Sequence, residues 1–304
     1  MAAAHSGLGW GAGAVPRLGV PAPPGAYPGP GTEEGALVTR ILILFKLLVC
    51  AVERAWPRHP FRAGIQRRWI GNAGLFAVGL VSVGWMVLPG GPIGVAFYCS
   101  QHGFGLLRQV TAHRLIEGIA GFLVIDFFMW LQHWVQHRVG LLWRSHRVHH
   151  TDLDLDFSTA LRFHPFEALF AIGVRALMVA LFGVSIFGAL FYEIALDVSS
   201  TLVHSNLRVP PRADAVLRRI FVTPEVHRVH HVSGPSMERN YATILSVWDR
   251  LFHTYQAPSP PGTSLELGLP GHRDAAALGV FALLLLPFRA NPPRERRGLP
   301  GSAR

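Results

Sequence analysis

Five stretches of this sequence are apolar over lengths that a soluble core rarely accommodates: residues 37–53, 69–99, 115–132, 166–183 and 186–203. A helix needs about 20 apolar residues to cross a bilayer, with a working range of about 17–25. Most of the five qualify, which predicts an all-α, polytopic membrane protein with about 4–5 spans. The second stretch is interrupted by Pro89-Gly90-Gly91-Pro92, the punctuation of a turn. It predicts one span followed by a turn and an interfacial piece. The last two adjoin through Val184 and Ser185 and predict a tight helical hairpin. A weaker run, Ala275–Phe288, is short for a span and predicts a segment lying at the interface.

Composition supports this reading. Half of the 304 residues are hydrophobic and 15% are charged, against about 25% charged in ordinary globular proteins. Residues 1–36 form a Gly/Ala/Pro stretch with no periodic apolar face, expected to be a disordered tail. It lacks the basic start and apolar core of a secretory signal. Residues 37–256 then form the main domain, and residues 257–304 a C-terminal segment with the short apolar run and a basic tail. The only cysteines, Cys50 and Cys99, lie within apolar runs, which excludes a disulfide scaffold. The net charge is +10, and Lys46 is the single lysine. Arginines flank the apolar runs, a pattern of membrane flanks rather than of a nucleic-acid-binding face. Arg54, Arg58, Arg62, Arg67 and Arg68 place the loop after the first run in the cytoplasm. Counting spans from there puts every histidine cluster on the cytoplasmic side, with Arg108 and Arg114 on the other. The Ala/Arg bias points to a GC-rich bacterial genome and hence a plasma membrane.

Histidine is the anomaly, with 16 copies gathered mostly in four groups. His133 and His137 stand at i,i+4 and share one helical face, with Asp126 two turns earlier. His146, His149 and His150 form an HxxHH box, His227, His230 and His231 form another, and His204 lies in Val203-His204-Ser205-Asn206. On a helix the three imidazoles of HxxHH fall within one arc. Nine imidazoles exceed the four to six ligands of one metal ion and suit two. Lone histidines such as His5, His59, His102, His113 and His272 are ordinary packed or interfacial residues. The clustered ones end apolar spans, where ionisable groups are functional by default. Imidazole suits Zn, Cu, Fe and Ni. The interiors of the boxes are Trp-Val-Gln and Arg-Val, without the glutamate of an H-E-x-x-H zinc hydrolase, so redox chemistry is favoured.

These boxes resemble the integral-membrane fatty acid hydroxylase superfamily, which includes sterol desaturases. Supporting motifs agree: Leu142-Trp143-Arg144-Ser145-His146, Arg162-Phe163-His164-Pro165-Phe166-Glu167, His204-Ser205-Asn206, Asn240-Tyr241-Ala242 and Trp248-Asp249-Arg250-Leu251-Phe252. The resemblance covers about residues 70–256. It implies membrane helices topped by a cytoplasmic helical cap, with two iron ions held by His133, His137, His146, His149, His150, His204, His227, His230 and His231. Zinc can replace iron in purified members. It further implies hydroxylation or desaturation of a lipid C–H bond with O2 as co-substrate and electrons from a separate donor protein. Asp126, His164 and Asn240 are expected to orient imidazoles by hydrogen bonds. A buried Arg162–Glu167 contact is expected, and Asp152, Asp154 and Asp156 are read as a solvated acidic loop. Ser200 stands where some members carry another histidine, and His253 where the family often has glycine. Two rival classes remain: a zinc-dependent membrane lipid hydrolase or lyase, and a non-enzymatic membrane metal-binding protein.

Overall fold

A computed structural model describes residues 32–61, 64–86, 91–110, 113–260, 263, 265–274 and 278–289. Of the expected tail 1–36, residues 1–31 lie outside these, as does the basic segment after residue 289, while residues 33–36 form the first turn of α1. The described residues form helices α1 (Glu33–Ala55), α2 (Ile65–Met86), α3 (Gly91–His102), α4 (Leu106–Val110), α5 (Arg114–Arg138) and α6 (Gly140–His150). After a 3-10 turn at Phe157–Leu161 come α7 (Pro165–Phe182), α8 (Ile186–His204), α9 (Pro211–Leu217), α10 (Pro224–His230), α11 (Val247–Leu251) and α12 (Val280–Leu285). No strand longer than an isolated bridge occurs among them. Four helices, α1, α5, α7 and α8, are long and apolar enough to cross a membrane. The protein is an all-α, multi-pass membrane protein.

Local chemistry sets the boundaries. Pro165 occupies the first turn of α7, and the His164 ring accepts the Phe166 N–H at 3.2 Å. Gly183 closes α7 in the left-handed region at φ 67°, and Ser185 caps α8 by accepting the Gly188 N–H. That is the expected hairpin. Gly183 also touches Gly105, at φ 122°, so closely that a Cβ on either would overlap the other's backbone.

Residues 87–90 of the second apolar run lie outside the described set, and α3 follows them. It packs on α7 and α8, with Ala96 fully buried beside Ile125, Met178, Val179, Val184, Ala189 and Tyr192. The described part of the run 275–288 packs α12 on α2, and Leu283 is fully buried with Leu75, Val148 and Leu286. Its last carbonyls are tied to the cap: Arg147 donates to the carbonyls of Leu286 and Arg289.

Two ion pairs lie inside the spans, where the low dielectric favours pairing. Arg175 meets Glu193 at 2.7 Å, and Lys46 meets Asp197. The Glu53 carboxylate, fully buried at the end of α1, accepts backbone N–H groups from Phe157 and Asn206. The C-terminal ends of α1, α5 and α8 and the N-terminal end of α7 thus meet one cap. The acidic loop is not solvated. Asp152 accepts two bonds from Arg68 at 2.6 and 3.0 Å, Asp156 accepts a third at 2.7 Å, and all three aspartates are buried. Burial alone would raise the Asp152 carboxyl, but Arg68 and Arg162 beside it hold it well below the usual carboxylate range. Arg162 does not pair with Glu167; it donates to the Val148 carbonyl, Asn72 and Thr151.

Candidate metal centre

The last turn of α5 carries His133 and His137, α6 carries the first HxxHH box, α8 ends in His204, and α10 carries the second box. These four pieces bring all nine imidazoles together in two adjoining clusters. His133, His137, His146, His150 and His230 form one, and His149, His204, His227 and His231 form the other. Helical phase explains the division. Residues at i and i+4 stay on one stripe, so His146 and His150 go together, as do His227 and His231, while the i+3 member of each box turns to the other cluster. All nine are buried except His133, which is half-buried.

Hydrogen bonds fix the ring protons. Nδ1 of His133 lies 2.6 Å from the Tyr241 carbonyl, and those of His204 and His230 lie 2.7 Å from the carbonyls of Ser200 and Arg239. Nδ1 of His149 lies 3.3 Å from the Arg162 carbonyl, and that of His146 lies 2.5 Å from the Glu167 carboxylate. Such oxygens accept, so each Nδ1 donates and each Nε2 presents a lone pair. Yet Nε2 of His133 lies 3.0 Å from Nε2 of His146, and Nε2 of His204 lies 3.0 Å from Nε2 of His149. Two lone pairs facing at that distance repel unless a cation lies between them. Metal–imidazole bonds of about 2.1 Å at right angles put neighbouring nitrogens about 3.0 Å apart. The buried Nε2 of His230 has no hydrogen-bond partner among the described residues. The donor set therefore fits two metal ions.

Electrostatics agree. Burial, then repulsion among neighbouring rings, lowers the pKa of His149, His150, His227 and His231 well below the ordinary imidazole value, and that of His230 to about 3. Neutral imidazoles are the form a metal binds.

The three residues expected to orient imidazoles act elsewhere. Asp126 accepts from the Trp248 indole at 2.8 Å and the Leu245 N–H at 3.3 Å. His164 caps α7 and reaches the Leu284 carbonyl. Asn240, at φ 57°, donates to the carbonyls of Val226 and Gln256, holding the loop before Tyr241. Contacts to ligand rings come from Glu167 on His146, from Glu238, 3.7 Å from His137, and from backbone carbonyls. Asp249, fully buried, also escaped notice. It accepts the N–H groups of Tyr241 and Ala242 and the Trp130 indole, which fixes the carbonyl that meets His133. Glu167 and Asp249 sit in motifs already singled out, whereas Glu238 carries no sequence signal. His253 takes φ 57°, the left-handed region that glycine adopts without strain.

Comparison with known proteins agrees with this arrangement. Residues 118–254 match the fatty acid hydroxylase family, a region that holds all nine histidines. The chain is 29% identical over 180 residues to the ornithine lipid hydroxylase OlsE of Rhizobium tropici, covering 58% of this chain and 52% of that protein. It is 31% identical over 144 residues to human alkylglycerol monooxygenase, covering 45% and 30%, and 30% identical over 135 residues to that of Caenorhabditis elegans, covering 43% and 25%. The chain thus spans about half the length of the first and between a quarter and a third of the others. No solved structure matches. With all nine clustered histidines inside the matched region, the chain is similar to the fatty acid hydroxylase family over residues 118–254.

Proposed function

We propose that this protein is a membrane-bound oxygenase that hydroxylates a lipid C–H bond, with two iron ions held by the nine clustered histidines. The facing lone pairs of His133 and His146, and of His204 and His149, carry the reading. Bound there, the metals would supply O2 activation, fed by electrons from a separate donor protein. The chain's residues do the rest. Neutral imidazoles supply the ligand nitrogens, and backbone carbonyls and Glu167 hold the rings in register. Burial excludes water, with Phe163 stacked on His149 at 4.6 Å and Trp143 against His137 at 4.9 Å. The centre closes the ends of apolar helices, so a lipid can approach from the bilayer. The relatives' names, a hydroxylase of ornithine lipid and alkylglycerol monooxygenases, support a lipid substrate and hydroxylation over desaturation. Arg54 in the last turn of α1 and Arg58 just after it lie on the side of the cap, which supports a cytoplasmic centre. Exposed Arg208, Arg212, Arg219 and Arg250 on the cap suit an acidic donor protein.

The test is anaerobic purification in detergent, reconstitution with ferrous iron, and incubation with membrane lipid under labelled O2. About two irons per chain are expected, with label entering a lipid alcohol only when reductant is supplied. His146→Ala and His204→Ala should each abolish incorporation and lower the metal count. Turnover independent of O2, or no labelled lipid from fully loaded protein, would overturn the oxygenase reading.

A further inference from the structure

The two clusters differ in connection and in support. In the five-histidine cluster one ring is the hub: His146 Nε2 lies 3.0 Å from His133, 3.1 Å from His137 and 3.0 Å from His150. The four-histidine cluster is a chain: His204 Nε2 lies 3.0 Å from His149 and 2.9 Å from His227, whose Nε2 lies 3.2 Å from His231. The acceptors behind His146 and His204 differ. His204 donates to a neutral backbone carbonyl, that of Ser200, at 2.7 Å; His146 donates to the Glu167 carboxylate at 2.5 Å. Glu167 is 4% exposed, and its other oxygen has no hydrogen-bond partner among the described residues. A buried carboxylate left so incompletely bonded is costly unless a nearby positive charge offsets it. Its place in the first turn of α7 gives it the favourable end of the helix dipole. Gln136, whose amide lies 3.5 Å away, adds one weak donor. Glu238 stands near a second ring of the same cluster, His137, at 3.7 Å. Nδ1 of His150 in this cluster, and of His227 and His231 in the other, has no hydrogen-bond partner among the described residues, so the carboxylate at His146 is what sets the two apart.

We infer that Glu167 is a positioning residue that makes the five-histidine subsite the tighter of two unequal metal subsites. The inference rests on the metal-centre reading above. A carboxylate behind an imidazole raises the basicity of the ligand nitrogen and locks the ring's orientation and tautomer, whereas a carbonyl does the second and little of the first. The metal opposite His146 is therefore held by more rings and by a more basic hub. The four-histidine subsite, with fewer rings and only backbone carbonyls behind His204 and His149, is the one that exchanges metal and has coordination room for a small exogenous ligand.

Cobalt(II) titration of metal-free protein in detergent, in competition with a chelator and followed by visible absorption, tests this. Wild type should take up two equivalents with separable affinities. Glu167→Gln keeps the shape and an acceptor but removes the charge, and should weaken one equivalent by about 10- to 100-fold while the other stays within about twofold. Glu167→Asp retains the charge at shorter reach, and its weakening should be smaller and confined to the same equivalent. It also serves if the glutamine variant fails to fold. Equal weakening of both equivalents would mark a general structural role and overturn the inference, as would two unchanged equivalents in the variants. Wild-type protein that takes up no cobalt would instead sink the metal-centre reading, and this inference with it.

Discussion

Asp249 shows how much of the centre depends on residues that touch no ligand. Its carboxylate accepts from Tyr241 N–H and Trp130 Nε1 at 2.9 Å, from Ala242 N–H at 3.0 Å and from Thr254 Oγ1 at 2.6 Å. Asp249→Ala leaves several buried donors without an acceptor, each costing about 1–3 kcal/mol. The variant should lose about 3 kcal/mol or more of stability and release the Tyr241 carbonyl from His133. A thermal melt and the metal content together check this; a variant with wild-type values for both would refute it. At this scale the nine histidines were legible in the sequence because their chemistry is rare in apolar surroundings and their spacing is helical. Their supports were not. Asp126, His164 and Asn240 lie close to ligands along the chain or the motif, but the hydrogen bonds that orient rings run between elements. Glu167 is 21 residues from the ring it holds, and Glu238 is more than 100 residues from His137. Spacing along one helix carries no trace of such partners.

Helices show the converse. The spans α1, α5, α7 and α8 were legible because each is a continuous apolar run with its own punctuation, and Pro165, Gly183 and Ser185 end them where expected. Apolarity alone cannot say which face of a short run packs on protein: α3 buries Ala96 and α12 buries Leu283, while Tyr98 and Phe281 stay exposed. For α12 the signal lies in its partner. Gly71 and Gly74 of α2 open the space into which Leu278, Val280 and Leu283 settle, and any Cβ on Gly74 would overlap the Val280 side chain. Gly74→Val should push α12 off α2, costing about 1–3 kcal/mol by overpacking. The damage should reach the centre, because the carbonyls after α12 bind Arg147 within the first HxxHH box. Limited proteolysis should cut the C-terminal segment faster in this variant, and unchanged cleavage would mean that α12 is held by other contacts.

Across the whole molecule the cap and the bundle are held by different forces. The bundle has a conventional apolar core, from Ala96 and Ile125 to Val184 and Tyr192, with no histidine among its members. The cap instead gathers α5, α6, α8 and α10 around buried imidazoles whose lone pairs oppose one another. On the proposed metal-centre reading, cations would join these nitrogens, and metal binding and cap folding would be one equilibrium. A ligand present at a thousandfold excess over its Kd stabilises the state it binds by about 4 kcal/mol. With about 2–4 °C of Tm per kcal/mol for a chain of this size class, stripping the metals should lower the Tm on the order of 10 °C. The loss should not be uniform. Trp130, Trp143 and Trp248 lie around the centre, so near-ultraviolet dichroism and indole emission should change first. Far-ultraviolet helicity, most of it in the bundle, should persist to higher temperature. Ferrous iron added back should restore the single high transition, as should zinc, since the stabilisation comes from the cation's charge and not from redox activity. A chelator-treated protein that melts at the wild-type temperature in one step would show that the imidazoles hold the cap by packing alone, and the facing lone pairs would then need another explanation.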